Sequence, residues 1–176
     1  MSYKLNKSEI EKLMKGLVIT VDRREKQGTH IVKHFAENDI EYVPATLLTG
    51  DYGAYIKANP ELGILRDIHI DAVVERKAHA DELCGNLQKS TEKAFQNELI
   101  RSKDIPFTIL VEDQLGYQKI ISGQYRSGYK PDALIGRLNS LKAAYSFEIV
   151  YLDSRWSGDW IYRHLYYQAR EYLKKL

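Results

Sequence analysis

Hydrophobic positions along the chain fall into short runs that alternate between two periods. Leu17-Val18-Ile19-Thr20-Val21 is an unbroken β-rich run that ends in charge, and it predicts a strand. Before it, Ser8 and Glu11 have the spacing of a capping box and predict a short helix over residues 9–15. After it, Thr29 reads as the cap of an amphipathic helix over residues 31–37, with Ile31, Val32 and Phe35 inward. Residues 41–48 read as a strand. Gly50-Asp51-Tyr52-Gly53 then turns into another over Tyr52–Ile56. Asn59-Pro60 and Gly63 mark a loop or hairpin tip, and residues 70–76 form the next strand.

The alternation continues. Residues 79–87 and Glu92–Arg101 have helical spacing, and residues 106–111 form an apolar strand bounded by Pro106 and charge. Residues 119–128 fit either state, with a glycine-rich end. Pro131 stands at the first turn of a helix that runs to about Tyr145. Residues 147–152 read as the last strand and 158–175 as a long final helix. Strands alternating with helices predict an α/β class chain, an α/β/α sandwich with a mixed central sheet in a single domain. Residues 1–16 would be a helical extension and 17–176 the domain itself.

Composition narrows the class without naming a chemistry. A chain of 176 residues is within the usual size of one domain and can bury a core without metal or disulfide staples. Hydrophobic residues make up 44% and charged residues 28%, so the chain is not of disordered type. No apolar run approaches the roughly 20 residues of a membrane span, and the charged N-terminus has no secretory core. One cysteine, Cys84, permits neither an internal disulfide nor a cysteine-based zinc site, and a cytoplasmic location is expected. The net charge of +2 is too small to imply a polyanionic partner. Its distribution says more. Between Tyr117 and Tyr145 stand Lys119, Arg126, Lys130, Arg137 and Lys142 against Asp132 alone, interleaved with tyrosines. Such a surface suits nucleic acid, although tyrosines packed in a core and lysines on a solvated face give the same pattern.

The chemistry-bearing residues lie at predicted strand ends. In Val73-Val74-Glu75-Arg76-Lys77, alternation puts Glu75 and Lys77 on one face and Arg76 on the other. Alone, such a pair is a common surface ion pair. Asp51 follows Gly50 just before the strand expected to pair with 70–77, so Asp51 and Glu75 would come to neighbouring strand ends. Two carboxylates there repel unless a cation lies between them. A hard divalent ion takes one or two carboxylates plus phosphate and water oxygens. With Lys77 beside it, the set could hydrolyse a phosphodiester. Asp22, which ends the first strand in Val21-Asp22-Arg23-Arg24-Glu25, is a further metal-side candidate and equally a plain cap. His30 and His34, four apart on a helix, lack a third zinc ligand nearby and read as a partly exposed face.

Read in order, Gly50-Asp51, Glu75-Arg76-Lys77 and Asp81 spell GDx(n)ERKx(3)D. This resembles the signature of the XPF-type structure-specific DNA endonucleases, Hef-like nucleases included, of the PD-(D/E)XK restriction-endonuclease-like group. Val21–Glu25 is similar to the family's V-D-x-R-E, Ala45-Thr46-Leu47 leads to the GD as there, Gly85-Asn86-Leu87 resembles its G-S-L, and 109–112 its next core strand. The resemblance spans about 17–152. It implies a restriction-endonuclease-like sandwich and a Mg²⁺- or Mn²⁺-dependent endodeoxyribonuclease. The expected substrates are branched, flap or otherwise structured DNA in repair, recombination or phage DNA processing. It implies that Asp51 and Glu75 hold the metal with Asp22 beside them, and that Lys77 is the catalytic lysine. Arg24 and Arg76 would lie near the scissile phosphate or support it, with Asp81 as the motif's last acid.

Where the family carries Gly-Arg, this chain has Lys93-Ala94, so Lys93 is the expected substitute for DNA contact. Arg126, Tyr129 and Lys130 in the glycine-containing loop are the other expected DNA contacts. No helicase or helix-hairpin-helix segment is read in the chain, so a lone nuclease domain, bacterial or phage-encoded, is expected, with a homodimer as a further expectation. Two alternatives remain: a catalytically silent DNA-binding or scaffold protein on this fold, and a nuclease of unbranched duplex. The intact Asp51, Glu75 and Lys77 speak against the first.

Overall fold

The computed structural model describes residues 4–176; the first three residues of the expected N-terminal extension lie outside them. Six strands form a mixed sheet in the order β2-β1-β3-β4-β5-β6, where β1 is Leu17–Asp22, β2 Tyr42–Ala45, β3 Tyr52–Ile56, β4 Ile68–Lys77, β5 Phe107–Val111 and β6 Glu148–Tyr151. The α/β class and mixed sheet expected from the alternation are therefore met. By packing, the chain divides into two compact units. One contains residues up to Leu47 with Asp51–Val73 and Gly158–Leu176; the other contains Leu48–Gly50 and Val74–Ser157.

The first unit is built on β1. All six of its residues are buried, as a run without polar alternation requires. It pairs parallel with β2, Ile19 opposite Tyr42 through Asp22 opposite Ala45. It pairs antiparallel with β3, Leu17 opposite Ile56 through Val21 opposite Tyr52. β2 and β3 thus flank β1, and β3 has β4 as its other neighbour, the two strands expected to lie side by side from the sequence. β1, the most apolar strand of this unit, is buried throughout and paired along both edges. Helix α1, Lys7–Met14, opens earlier than expected. Asn6, not Ser8, is its cap, with Glu9 completing the box through bonds of 3.0 and 2.7 Å. Asn is at least as good an acceptor at a cap as Ser, and it leaves Ile10, Leu13 and Met14 on the buried face.

Helix α2, Thr29–Glu37, has Gly28 rather than Thr29 at its cap position and buries Ile31 and Phe35, leaving Val32 half-buried. The final helix, α7 (Ser157–Leu173), buries Ile161, Leu165, Ala169 and Leu173, a stripe at every fourth residue. Each large apolar side chain so buried contributes roughly 1.5–3 kcal/mol. Aromatic residues flank that stripe: Trp160 and His164 stack with centroids 4.7 Å apart. Gly158 sits so close to His34 that an added Cβ would lie 2.7 Å from the histidine Cβ.

The second unit takes the last four residues of β4, together with β5 and β6. All five residues of β5 are buried, and it runs parallel to β6, Thr108 opposite Glu148 through Val111 opposite Tyr151. The helices here are α3 (Ala80–Gly85), α4 (Glu92–Arg101), α5 (Gly116–Ile121) and α6 (Pro131–Tyr145). The ambiguous 119–128 segment resolves into the end of α5 and a loop. Phe95 and Phe107 each meet Phe147 edge-on, at 6.3 and 6.5 Å between centroids. Leu134, Leu138 and Leu141 form the buried side of α6.

Candidate active site

In the first unit, Asp22 ends β1 with its side chain 1% exposed. Its backbone N–H donates to the Asp51 carbonyl at 2.7 Å, so the pairing of β1 with β3 brings Asp22 and Asp51 side by side. The Asp22 carboxylate receives four hydrogen bonds. Oδ1 accepts from the Arg24 backbone N–H at 2.8 Å and from Arg24 Nε at 2.7 Å. Oδ2 accepts from Arg24 Nη2 at 2.9 Å and from the Leu47 N–H at 2.8 Å. Arg24 Nη2 also donates to the Leu47 carbonyl at 2.8 Å. The guanidinium fork and the two amides hold the Asp22 carboxyl down at about 2, against the desolvation of its site. Arg24 itself is 69% exposed and carries its charge at the surface of this unit. Gly50, just ahead of Asp51, has φ of 74°, a left-handed turn that glycine adopts without strain and that the GD dipeptide signalled.

In the second unit, Glu75 and Lys77 lie on one face of β4, as alternation requires. Lys77 Nζ is 2.5 Å from Glu75 Oε1, and the side chains are 8% and 12% exposed. Burial works against the lysine's charge, but the charge and hydrogen bond of Glu75, with Glu98 and Glu82 beyond, outweigh it and raise Lys77 above its ordinary value. Lys77 is therefore an ammonium at neutral pH. Arg76 points the other way into a buried pair, Nη1 to Glu112 Oε2 at 3.3 Å, with both side chains 4% exposed. The next backbone bond, Glu112 N–H to the Lys77 carbonyl at 2.9 Å, locks the end of β4 to the end of β5.

Glu98, on α4, joins this pair without belonging to the sequence motif. Burial, then the negative charge of Glu75, raises its carboxyl to about 7, and it shares a hydrogen bond with Glu75. The one signal that could have found it is helical spacing: Phe95 and Leu99 are the buried positions of α4, and position 98 borders them. Among the described residues no group of three or more His, Cys, Asp and Glu is gathered to hold a metal ion. The donor chemistry nevertheless fits a hard divalent cation. Glu75 and Glu98 set carboxyl oxygens beside one another, the donor type such a cation takes.

The remaining positions divide between structure and surface. Asp81, in the first turn of α3, accepts the Arg126 backbone N–H at 2.7 Å on Oδ1, with Arg126 Nε 3.5 Å from Oδ2. It thus fastens the loop that carries the expected DNA contacts. Arg126 is 93% exposed, while Tyr129 is half-buried with its carbonyl accepting the Tyr125 hydroxyl at 2.9 Å. Lys93 and Lys130 are exposed. The other cations of the basic stretch have acidic partners: Lys119 with Asp113 at 2.7 Å, Arg137 with Glu92 at 2.5 Å and Lys142 with Glu148 at 3.4 Å. The basic character read from that stretch is therefore partly neutralised by acids, Glu92 among them from far off in sequence.

With a motif of this kind on a fold of this kind, the chain belongs to the ERCC4 domain family, whose model matches residues 21–164. Among solved structures it is similar to XPF from Aeropyrum pernix, with a TM-score of 0.59 and 18% identity over 90% of this chain and 66% of that one. It is equally similar to XPF from Aeropyrum pernix in complex with DNA, at a TM-score of 0.60, 18% identity and the same coverage. The chain thus spans 66% of the length of these relatives. At that identity the likeness establishes the fold. No curated protein sequence matches the chain. No helix among the described residues is long and apolar enough to cross a membrane.

Proposed function

We propose that the protein is a divalent-metal-dependent DNA endonuclease that cuts branched or otherwise structured DNA. The observation that carries this is the buried Glu75–Lys77 pair at the end of β4, with the Glu98 carboxyl beside it. A buried lysine whose charge is held by an acid is costly as a plain stabilising device, and desolvated ion pairs of this kind are a mark of functional sites. Membership of the ERCC4 domain family and the complete GDx(n)ERKx(3)D motif support the same reading.

In this reading Glu75, with the Glu98 carboxyl beside it, takes part in holding Mg²⁺ or Mn²⁺, and Asp51 is the motif's other acid that cleavage requires. Such an ion, when bound, supplies a Lewis acid for phosphate oxygens and lowers the pKa of its water. Lys77 stays protonated and donates to the phosphate as negative charge grows on it. Glu75 keeps that ammonium in place through its Oε1. Arg24, Lys93, Arg126 and Lys130 carry positive charge for the DNA backbone, and Arg76 supports the end of β4 from its pair with Glu112. Residues 17–176 act as the nuclease module.

The test is cleavage of end-labelled duplex, flap and fork DNA in Mg²⁺, Mn²⁺, Ca²⁺ and chelator. Cutting of flap or fork in Mg²⁺ or Mn²⁺, abolished by Asp51→Ala or Glu75→Gln, is the expected result. Lys77→Ala should also lose cleavage yet keep its metal affinity by calorimetry, because an ammonium does not ligate a cation. DNA binding without cleavage under every condition would leave only a silent DNA-binding protein.

A further inference from the structure

The Asp22 carboxylate is saturated. A carboxylate offers about four lone-pair positions, and here all four are used by donors at 2.7–2.9 Å. Two of those donors are backbone amides, at Arg24 and Leu47, fixed by the end of β1 and by the chain leading to Gly50-Asp51. The other two are the paired nitrogens of one guanidinium. That guanidinium reaches on to the Leu47 carbonyl, so acid, arginine and the Leu47 backbone close a ring of hydrogen bonds. A cation could bind this carboxylate only by expelling Arg24 or pulling Leu47 away.

We infer that Asp22 is a positioning residue rather than a metal ligand: it aims the Arg24 guanidinium outward for a DNA phosphate and fixes the backbone leading to Asp51. This rests on the nuclease reading. The arrangement suits the role. An arginine held by two prongs on one side has given up its rotamer freedom before binding, so less entropy is lost when it meets a phosphate. The acid is 1% exposed and the arginine 69%, which buries the anchor and presents the cation.

The test compares wild type, Asp22→Asn, Arg24→Ala and the double variant. Mn²⁺ binding is followed by calorimetry, and fork-DNA binding in Ca²⁺ by anisotropy across a salt series. The guanidinium needs an acceptor on both oxygens of residue 22, and an asparagine puts an NH₂ where one guanidinium or amide donor points. Asp22→Asn should keep Mn²⁺ affinity within about twofold. It should weaken DNA binding and flatten the log–log salt slope by about one unit, as Arg24→Ala does. The double variant should bind no more weakly than either single one, since both act on the same phosphate interaction.

A fall of tenfold or more in Mn²⁺ affinity for Asp22→Asn would make it a ligand and overturn the inference. An unchanged DNA affinity and slope would overturn it too, by leaving Asp22 a merely structural cap. If Asp22→Asn does not fold, Arg24→Lys carries the test, because it keeps the charge and leaves Asp22 intact but breaks the two-pronged fork. Weakened DNA binding at unchanged Mn²⁺ affinity supports the inference, and undiminished DNA binding defeats it. Wild type that binds no DNA at all would sink the functional reading itself. Wild type that binds DNA no better than the variants would sink only the role of Asp22.

Discussion

Two carboxyls in this protein are displaced in opposite directions, and the cause is the neighbour each was given. Asp22 meets a guanidinium and two amides and falls to about 2; Glu98 meets burial and another carboxylate and rises to about 7. The sign of each shift fixes its effect on stability. Asp22, depressed from an ordinary 3.8, contributes stability that is fully present above that value and is lost as pH falls toward 2. Solvent reaching Arg24 screens the pair, so the contribution at pH 7 is on the order of 1 kcal/mol. Asp22→Asn should therefore be less stable than wild type in urea at pH 7, and the gap should narrow as the pH is lowered from 3.8 toward 2. A gap independent of pH would mean that packing, not charge, is what the substitution removes.

Among the elements, helix placement turns on a few close approaches. Gly158, at the start of α7, leaves room for the His34 side chain of α2: an added Cβ would lie 2.7 Å from His34 Cβ and Cγ and 2.8 Å from Cδ2. These are the root of the ring, not a flexible tip, so α7 or α2 has to shift. Gly158→Ala should cost about 1–3 kcal/mol in chemical denaturation, even though alanine is the better helix former. An unchanged midpoint would show that the helices slide without penalty. Element boundaries show where the sequence pattern is readable and where it is not. β3, α4 and the start of α6 at Pro131 lie where periodicity and Pro131 put them. The cap of α1 moved from Ser8 to Asn6 because two residue types with similar hydrogen-bonding ability stand two positions apart. The choice fell to the register that buries Ile10, Leu13 and Met14.

For the whole molecule, the path of DNA depends on which cations the fold leaves exposed. The loop ahead of α6 presents Arg126, 93% exposed, and exposed Lys130. Binding to phosphate releases counterions, so replacing both by alanine should flatten the salt slope of binding by about one unit for each phosphate interaction removed. The effect should be alike on all duplexes, because the backbone carries no sequence information. Anisotropy in Ca²⁺ across a salt series measures it, and an unchanged slope would send the DNA past Arg24 and Lys93 instead.

Local rules of the chain suffice for the α/β alternation, the left-handed turn at Gly50 ahead of Asp51, and the sharing of one strand face by Glu75 and Lys77. Each follows from backbone geometry over a few residues, where period and turn chemistry leave little choice. Packing settled the rest, and it did so through partners far apart in the chain. The most buried strand of the first unit took a neighbour on each edge, β2 parallel and β3 antiparallel. Glu92 claimed Arg137 across 45 residues, and α4 brought Glu98 to Glu75. Asp22 filled its lone pairs with Arg24 and with Leu47, 25 residues away. No period or spacing encodes such pairings, because they are set by which surfaces must leave water together and by which buried charges must then be matched.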